Sequence, residues 1–252
     1  MKKSITCGFL FLLPFTLAYS QQSPDFNWEE SLGTIIITGY TGNRKTVTIP
    51  DNIDGMPVNV IGPSAFANKG LTDVVIPNGI REIWEYAFAN NQLTRIIFPN
   101  SITDIRANAF ANNQLTSVDL PAKIYSIHYG AFSNNRLASV NFPNGVFFIG
   151  AGAFARNHLT SITIPNSVAT IQPAVFAHNR LTSVVIPESV CSMNYAAFGY
   201  NPLTSITIGA NVFLDWEVLG TDGSFDQAYT DGGKQAGTYT RPNAESKIWT
   251  RR

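Results

Sequence analysis

Seven phenylalanines, Phe66, Phe88, Phe110, Phe132, Phe154, Phe176 and Phe198, stand 22 residues apart. The same step carries Leu71, Leu93, Leu115, Leu137, Leu159, Leu181 and Leu203, and also Ile76, Phe98, Leu120, Phe142, Ile164, Ile186 and Ile208. All but the last of that third column are followed by proline, from Pro77 to Pro187. A fixed period without insertion means one structural unit written repeatedly, and it excludes folds whose elements differ along the chain. An earlier, imperfect copy begins at Thr46-Val47-Thr48-Ile49-Pro50, with a five-residue insertion before Ile61.

The unit Leu71 to Gln92 reads LTDVVIPNGIREIWEYAFANNQ. Val74 and Ile76 flank Val75 in the period-two pattern of a short strand. The proline after it has no N–H, so it ends the ladder and starts a turn. Ile80, Ile83 and Ala87-Phe88 follow too closely for a long helix, which predicts an extended or tightly turned return path. One such coil buries too few apolar side chains to offset the entropy of ordering it, so coils must stack and share ladders. The expected fold is a repeat solenoid, mainly β with short turns or 3-10 helices and a parallel sheet on one side. About eight coils at roughly 4.8 Å each make an array about 40 Å long. Asn91, Asn113, Asn135, Asn157, Asn179 and Asn201 precede the leucines. Their amides suit turn backbone groups of their own coil and the next. A row of ligand-binding amides is the other reading of the column.

The pattern L-x-x-V-x-I-P-x-x-I-x-x-I-x-x-x-A-F-x-x-N-x resembles the BspA-like (treponemal-type) leucine-rich repeat of bacterial surface antigens. The resemblance covers about Val47 to Ile208. Many members of that family have 23-residue units with a small residue or cysteine before the leucine, where this chain has a shorter unit and asparagine. It implies a leucine-rich repeat solenoid capped at both ends, in a secreted or cell-surface protein, often an adhesin or host-protein binder, without catalysis.

The ends depart from the period. Residues 1–20 have Lys2 and Lys3 before the apolar run Gly8 to Ala18, then Ala18-Tyr19-Ser20, the pattern of a cleaved signal peptide with a mature start at Gln21. Residues 21–50 are expected to form an N-terminal β-hairpin cap, with Gly33 to Pro50 as two strands around a Gly-Asn turn. The array is expected over 51–209, and 210–252 as a C-terminal cap or tail. After Ile208 the pattern fails: Gly209 replaces the proline and Asp215 takes the Ile83 slot. The Gly- and Thr-rich end, with Phe225, Tyr229, Tyr239 and Trp249, either wraps the last coil or is a disordered linker.

Charge is scarce: 17 basic and 17 acidic residues, 13% of the chain, about half the usual share. No basic excess points to nucleic acid. Loss of the leader leaves 15 basic against 17 acidic residues and Cys191 as the sole cysteine, so no intramolecular disulfide is expected. The mature chain is expected to carry no transmembrane segment and to be an extracytoplasmic monomer.

No catalytic, cofactor or metal residue is assigned. Cys191 has no histidine in a neighbouring slot, and Gly150-Ala151-Gly152-Ala153 lacks the third glycine of a phosphate loop. His128, His158 and His178 fall in different rows, which gives no convergent metal set. Surface therefore remains. Sheet rows of Ser, Thr and Asn either suit packed strands or form an uncharged platform. Tyr125, Phe147 and Phe148 stand where other coils have small or polar residues, and form a candidate partner-binding patch for a protein or glycan. Arg136, His158 and Arg180 share a row, with Arg156 and His178 two residues earlier in their coils, as a candidate basic edge. The expected role is adhesin-like recognition. A structural envelope protein, with the array as spacer or tether, is the alternative.

Overall fold

The computed structural model describes residues 25–220 and 223–252. The expected leader over 1–20 and the first residues of the expected N-terminal cap lie outside them. The described chain is a stacked series of coils with three flanks, each held by its own contacts.

The first flank is the Val-x-Ile row. Thr46–Thr48 pairs in parallel with Asp73–Val75, single bridges join Ile97, Asp119 and Asn141, and Ser183–Val185 pairs with Ser205–Ile208. The second flank, the Ile-x-x-Ile return path, carries the longer ladder. Met56–Ile61, Glu82–Ile83, Asp104–Ile105, Ser126–Ile127 and Phe148–Ile149 pair in succession, all parallel. The ladder resumes through Thr170–Ile171, Ser192–Met193 and Phe213–Leu214. Parallel pairing is thus found on two flanks instead of one. The reason is local: each strand of the first row except Ser205–Ile208, which meets Gly209, runs into a proline, which cannot extend a ladder, whereas most return strands do not.

The third flank is a pair of tight turns around Ala-Phe. Ala87 N–H donates to Trp84 and Ala89 N–H to Tyr86, and the pattern repeats coil by coil. Two residues per coil take left-handed backbone here. One row is Tyr86, Asn108, Gly130, Gly152, Ala174, Ala196; the other is Asn90, Asn112, Asn134, Arg156, His178, Tyr200. The two hydrogen-bond columns run in opposite senses. On the return path a later coil donates to an earlier one, as Thr103 N–H does to Arg81; at the turns Phe88 N–H donates forward to Ala109.

Between the flanks the phenylalanine column is fully buried, its successive rings stacked 5.0–6.1 Å apart. Asn91, Asn113, Asn135, Asn157 and Asn179 are buried beside it. Asn135 Nδ2 donates to the carbonyls of Phe110 and Phe132 at 2.9 and 3.1 Å, and its Oδ1 accepts from Leu115 N–H at 3.0 Å. The amide therefore ties its own coil to the preceding one, not the next, and nothing of it is left for a ligand.

Both ends differ in detail from the expected boundaries. The N-terminal hairpin pairs Phe26–Ser31 with Thr34–Tyr40, one strand earlier than the Gly-Asn reading placed it. Its turn is Leu32-Gly33, with φ of 51° and 76°, the doubly left-handed geometry that matches strand twist. Thr46–Thr48 joins the array instead. Phe26 and Tyr40 close the ring column, Tyr40 stacking on Phe66 at 5.7 Å. At the other end Met193 pairs with Leu214, one residue short of the 22-residue step, so the array continues past 209. Beyond it, helix Ser224–Asp231 and strand Gly237–Thr240 cover the last coil, that strand pairing antiparallel with Ser205–Ile208. Phe225, Tyr229, Tyr239 and Trp249 are buried there. Tyr229 OH donates to the Gly209 carbonyl at 2.7 Å and accepts from Val212 N–H at 3.0 Å.

Candidate functional site

The return path lifts Tyr125 and Phe147 out of the coils at the slot where Arg81, Thr103, Ala169 and Cys191 also stand. Each donates its N–H to the coil before, so the two side chains leave the scaffold in register. Their rings stack at 5.8 Å and 4°, while Tyr125 keeps 42% and Phe147 58% of its surface exposed. Phe148 does not complete this patch. Its half-buried ring meets His128 edge-on at 5.7 Å.

His128 in turn lies 3.1 Å from the buried Asp104 carboxylate. Its register is shared by Arg106, which meets Glu82 at 2.7 Å and lies over the Trp84 ring. Sequence reasoning placed the histidines in separate rows and missed these polar contacts. The available signal was the spacing: both pairs are 24 residues apart, one coil plus the two-residue reach of a strand face.

The expected basic edge divides. Arg136, His158 and Arg180 take equivalent slots on consecutive coils, their N–H groups donating to Leu115, Leu137 and Leu159. Arg136 and Arg180 are exposed and His158 is half-buried. Arg156 and His178 belong instead to the second left-handed row, and they face a groove of about 430 Å³. Its floor is small: Gly130, Ala151, Gly152, Ala155, Ala174, Ala177 and Ala196. Its walls hold Tyr129, Tyr195 and Tyr200, all exposed. Sequence reasoning missed the groove as a unit. Gly150-Ala151-Gly152-Ala153 runs beside it, yet the N–H groups of Gly150, Gly152 and Ala153 donate to Ile127, Pro173 and Gly150. They are spent on the scaffold and cannot cradle a phosphate. A Cβ at Gly150 would come within 2.5 Å of Tyr129 N, so glycine there is demanded by close approach of two coils.

His178 stacks on Tyr200 at 4.2 Å and 6°. Burial holds its imidazole below the usual histidine value, and the positive charge of Arg156 lowers it further. The folded chain binds this proton less readily than the unfolded one. Its contribution to stability is present above the ordinary histidine pKa and is lost as pH falls through the depressed folded value. In an NMR titration His178 should therefore titrate at lower pH than an exposed histidine. Arg156→Asn should raise that midpoint only part of the way, because burial is the larger cause; an unmoved midpoint would remove Arg156 as a cause.

Among the described residues no group of three or more His, Cys, Asp or Glu side chains could hold a metal ion. No helix among them is long and apolar enough to cross a membrane.

Stacked coils of Leu, Ile-Pro and Ala-Phe, with an asparagine ladder and a covered end on each side, define a leucine-rich repeat solenoid. The profile of the BspA type leucine rich repeat region, in six copies, matches residues 59–180 and 103–214. The chain belongs to the BspA-type leucine-rich repeat family. Among solved structures it is similar to a leucine-rich repeat protein from Bacteroides ovatus, 23% identical over 82% of this chain and 69% of that one, with a TM-score of 0.56. The leucine rich repeat protein of T. pallidum is also 23% identical, over 85% of this chain and 96% of that one, at 0.56. One from Eubacterium ventriosum is 17% identical, over 77% and 60%, at 0.54. At these identities the likeness is one of fold. No curated protein sequence matches the chain.

Proposed function

We propose that this chain is an exported, non-enzymatic recognition module that works as a monomer and holds a partner on its solenoid surface. The Tyr125–Phe147 stack carries the reading. Two large rings are held parallel and open to solvent on coils whose scaffold accepts threonine or alanine at the same slot. Exposed aromatic pairs on a rigid frame lose little entropy on contact and are typical anchors of protein interfaces. Export rests on the leader-like residues 1–20, and the covered ends of the array support a monomer.

The test is capture of host extracellular proteins, and separately of the producing cell's envelope fraction, by the immobilised mature chain. A Tyr125→Thr, Phe147→Ala double variant, which borrows residues from neighbouring coils and leaves Phe148 on His128, should fold normally. It is expected to lose the captured protein. Capture of the same proteins by both chains, or by neither, would sink this reading; equal retention in the envelope fraction alone would favour the spacer.

A further inference from the structure

The groove on the turn flank lies on a different face, beyond the strand Ser126–Ile127 from the Tyr125–Phe147 stack, and has its own chemistry. Three observations bear on its occupant. The first is backbone strain. The row that begins Asn90, Asn112, Asn134 continues as Arg156, His178 and Tyr200, all with φ between 53° and 60°. Asparagine and histidine tolerate the left-handed region well, while Arg156 and Tyr200 adopt it at a cost. The exchange gives the scaffold one coil-to-coil contact, His178 on Tyr200, and none for Arg156, whose side chain is exposed.

The second is charge. No Asp or Glu lines the groove, and among the described residues no carboxylate pairs with Arg156. An unpaired guanidinium in a partly enclosed, acid-free groove favours an anion. The third is the floor. Gly130, Gly152, Ala174 and Ala196 donate their N–H groups to the next coil, and the carbonyls of Tyr129, Ala151, Pro173 and Tyr195 accept from the coil before. With those groups paired, an extended peptide cannot add to the floor as a strand. The ligand must be read by side chains: flat tyrosine rings, the amides of Asn108 and Asn134, the Ser133 hydroxyl and one cation.

A pyranose ring meets these terms. Its C–H face lies on the electron-rich face of an aromatic ring, its hydroxyls bond amides and hydroxyls at the edge, and a uronate carboxylate takes both arms of a guanidinium. We propose that this groove binds an acidic, uronate-containing oligosaccharide, with sugar rings against Tyr129 and Tyr200 and a carboxylate on Arg156. Tyr195, tilted against the exposed Trp216 at 4.8 Å, extends the platform along the array.

Variants are drawn from the repeat itself, which keeps the fold. Arg156→Asn and Tyr200→Asn restore the residue of the earlier coils, and Tyr129→Ala copies the slot of Ala107 and Ala151. Calorimetry on the mature chain would use a galacturonate tetrasaccharide, its fully methyl-esterified form and a glutamate tetrapeptide. The galacturonate should bind the wild type. Esterification or Arg156→Asn should each weaken binding about tenfold or more, and Tyr129→Ala or Tyr200→Asn should weaken both sugar forms. The Tyr125→Thr, Phe147→Ala variant should bind the sugar as wild type does, so failure of one proposal leaves the other standing. No heat with galacturonate, equal affinity for the esterified form or the tetrapeptide, or indifference to Arg156→Asn would overturn the assignment.

Discussion

Asn135→Ala is expected to lower the unfolding free energy by about 3–5 kcal/mol, more than any exposed substitution in the array. The side chain is small and polar, so lost apolar burial accounts for little of this. What is lost is the set of bonds to Phe110 and Phe132 carbonyls and from Leu115 N–H, all buried where water cannot replace them. Each orphaned backbone group costs about 1–3 kcal/mol, and relaxation recovers part of the sum. Because a solenoid holds together through nearest-neighbour coils, a fault at the middle also weakens the coupling of its two halves. Urea denaturation should therefore show an earlier midpoint and a shallower slope. Asn134→Ala, one residue away with its side chain exposed, should cost far less. Equal effects at the two positions would show that the buried amide column is dispensable.

Removal of residues 223–252 is expected to make the chain self-associate more than the intact one and to lower the melting temperature by about 10 °C or more. Helix Ser224–Asp231 and strand Gly237–Thr240 cover Leu203, Ile206, Ile208, Val212 and Val218, all buried in the intact chain. Their loss opens an apolar face and frees the Ser205–Ile208 edge, a template for another chain. Arg241 adds a clamp: its Nε donates to the Leu203 carbonyl at 2.6 Å while its guanidinium lies over the Trp249 ring. Size-exclusion chromatography with light scattering reads the outcome. A truncated chain that elutes in the same state as the parent and melts like it would show that the last coil needs no cover.

The array itself was legible because a strict period gives every column the same environment. Phe66 through Phe198 could be assigned to one stack from spacing alone, and so could the asparagines. The last coil escaped notice because one residue is missing between Ile208 and Phe213. That shift puts Leu214, not Asp215, in the apolar slot, and Val218-Leu219 in place of Ala-Phe. At the start, Gly42-Asn43 is a strong turn signal, but the repeat pattern of Val47 and Ile49 competes for the same strand, and stacking on Val74 wins. The stack of Tyr125 on Phe147 follows from two coils departing from the repeat at one slot. The groove was harder to read, since its parts come from several coils and its alanines and glycines look like scaffold. Only the replacement of asparagine by Arg156, His178 and Tyr200 hinted at it, and its meaning depends on the left-handed backbone that sequence does not display.

The opposed hydrogen-bond columns bear on the electrical polarity of the array. Peptide dipoles on the return path point one way along the solenoid axis and those at the turns point the other, so they largely cancel. An α-helix accumulates opposite partial charges at its ends; this array gains no such charge with added coils. Each end instead presents donors and acceptors side by side. The N-terminal hairpin meets both, since Tyr40 N–H donates to Ala65 while Ile37 accepts from Gly62. Coils can therefore be added or removed without electrostatic penalty, and the same mixed cover suits an array of any length.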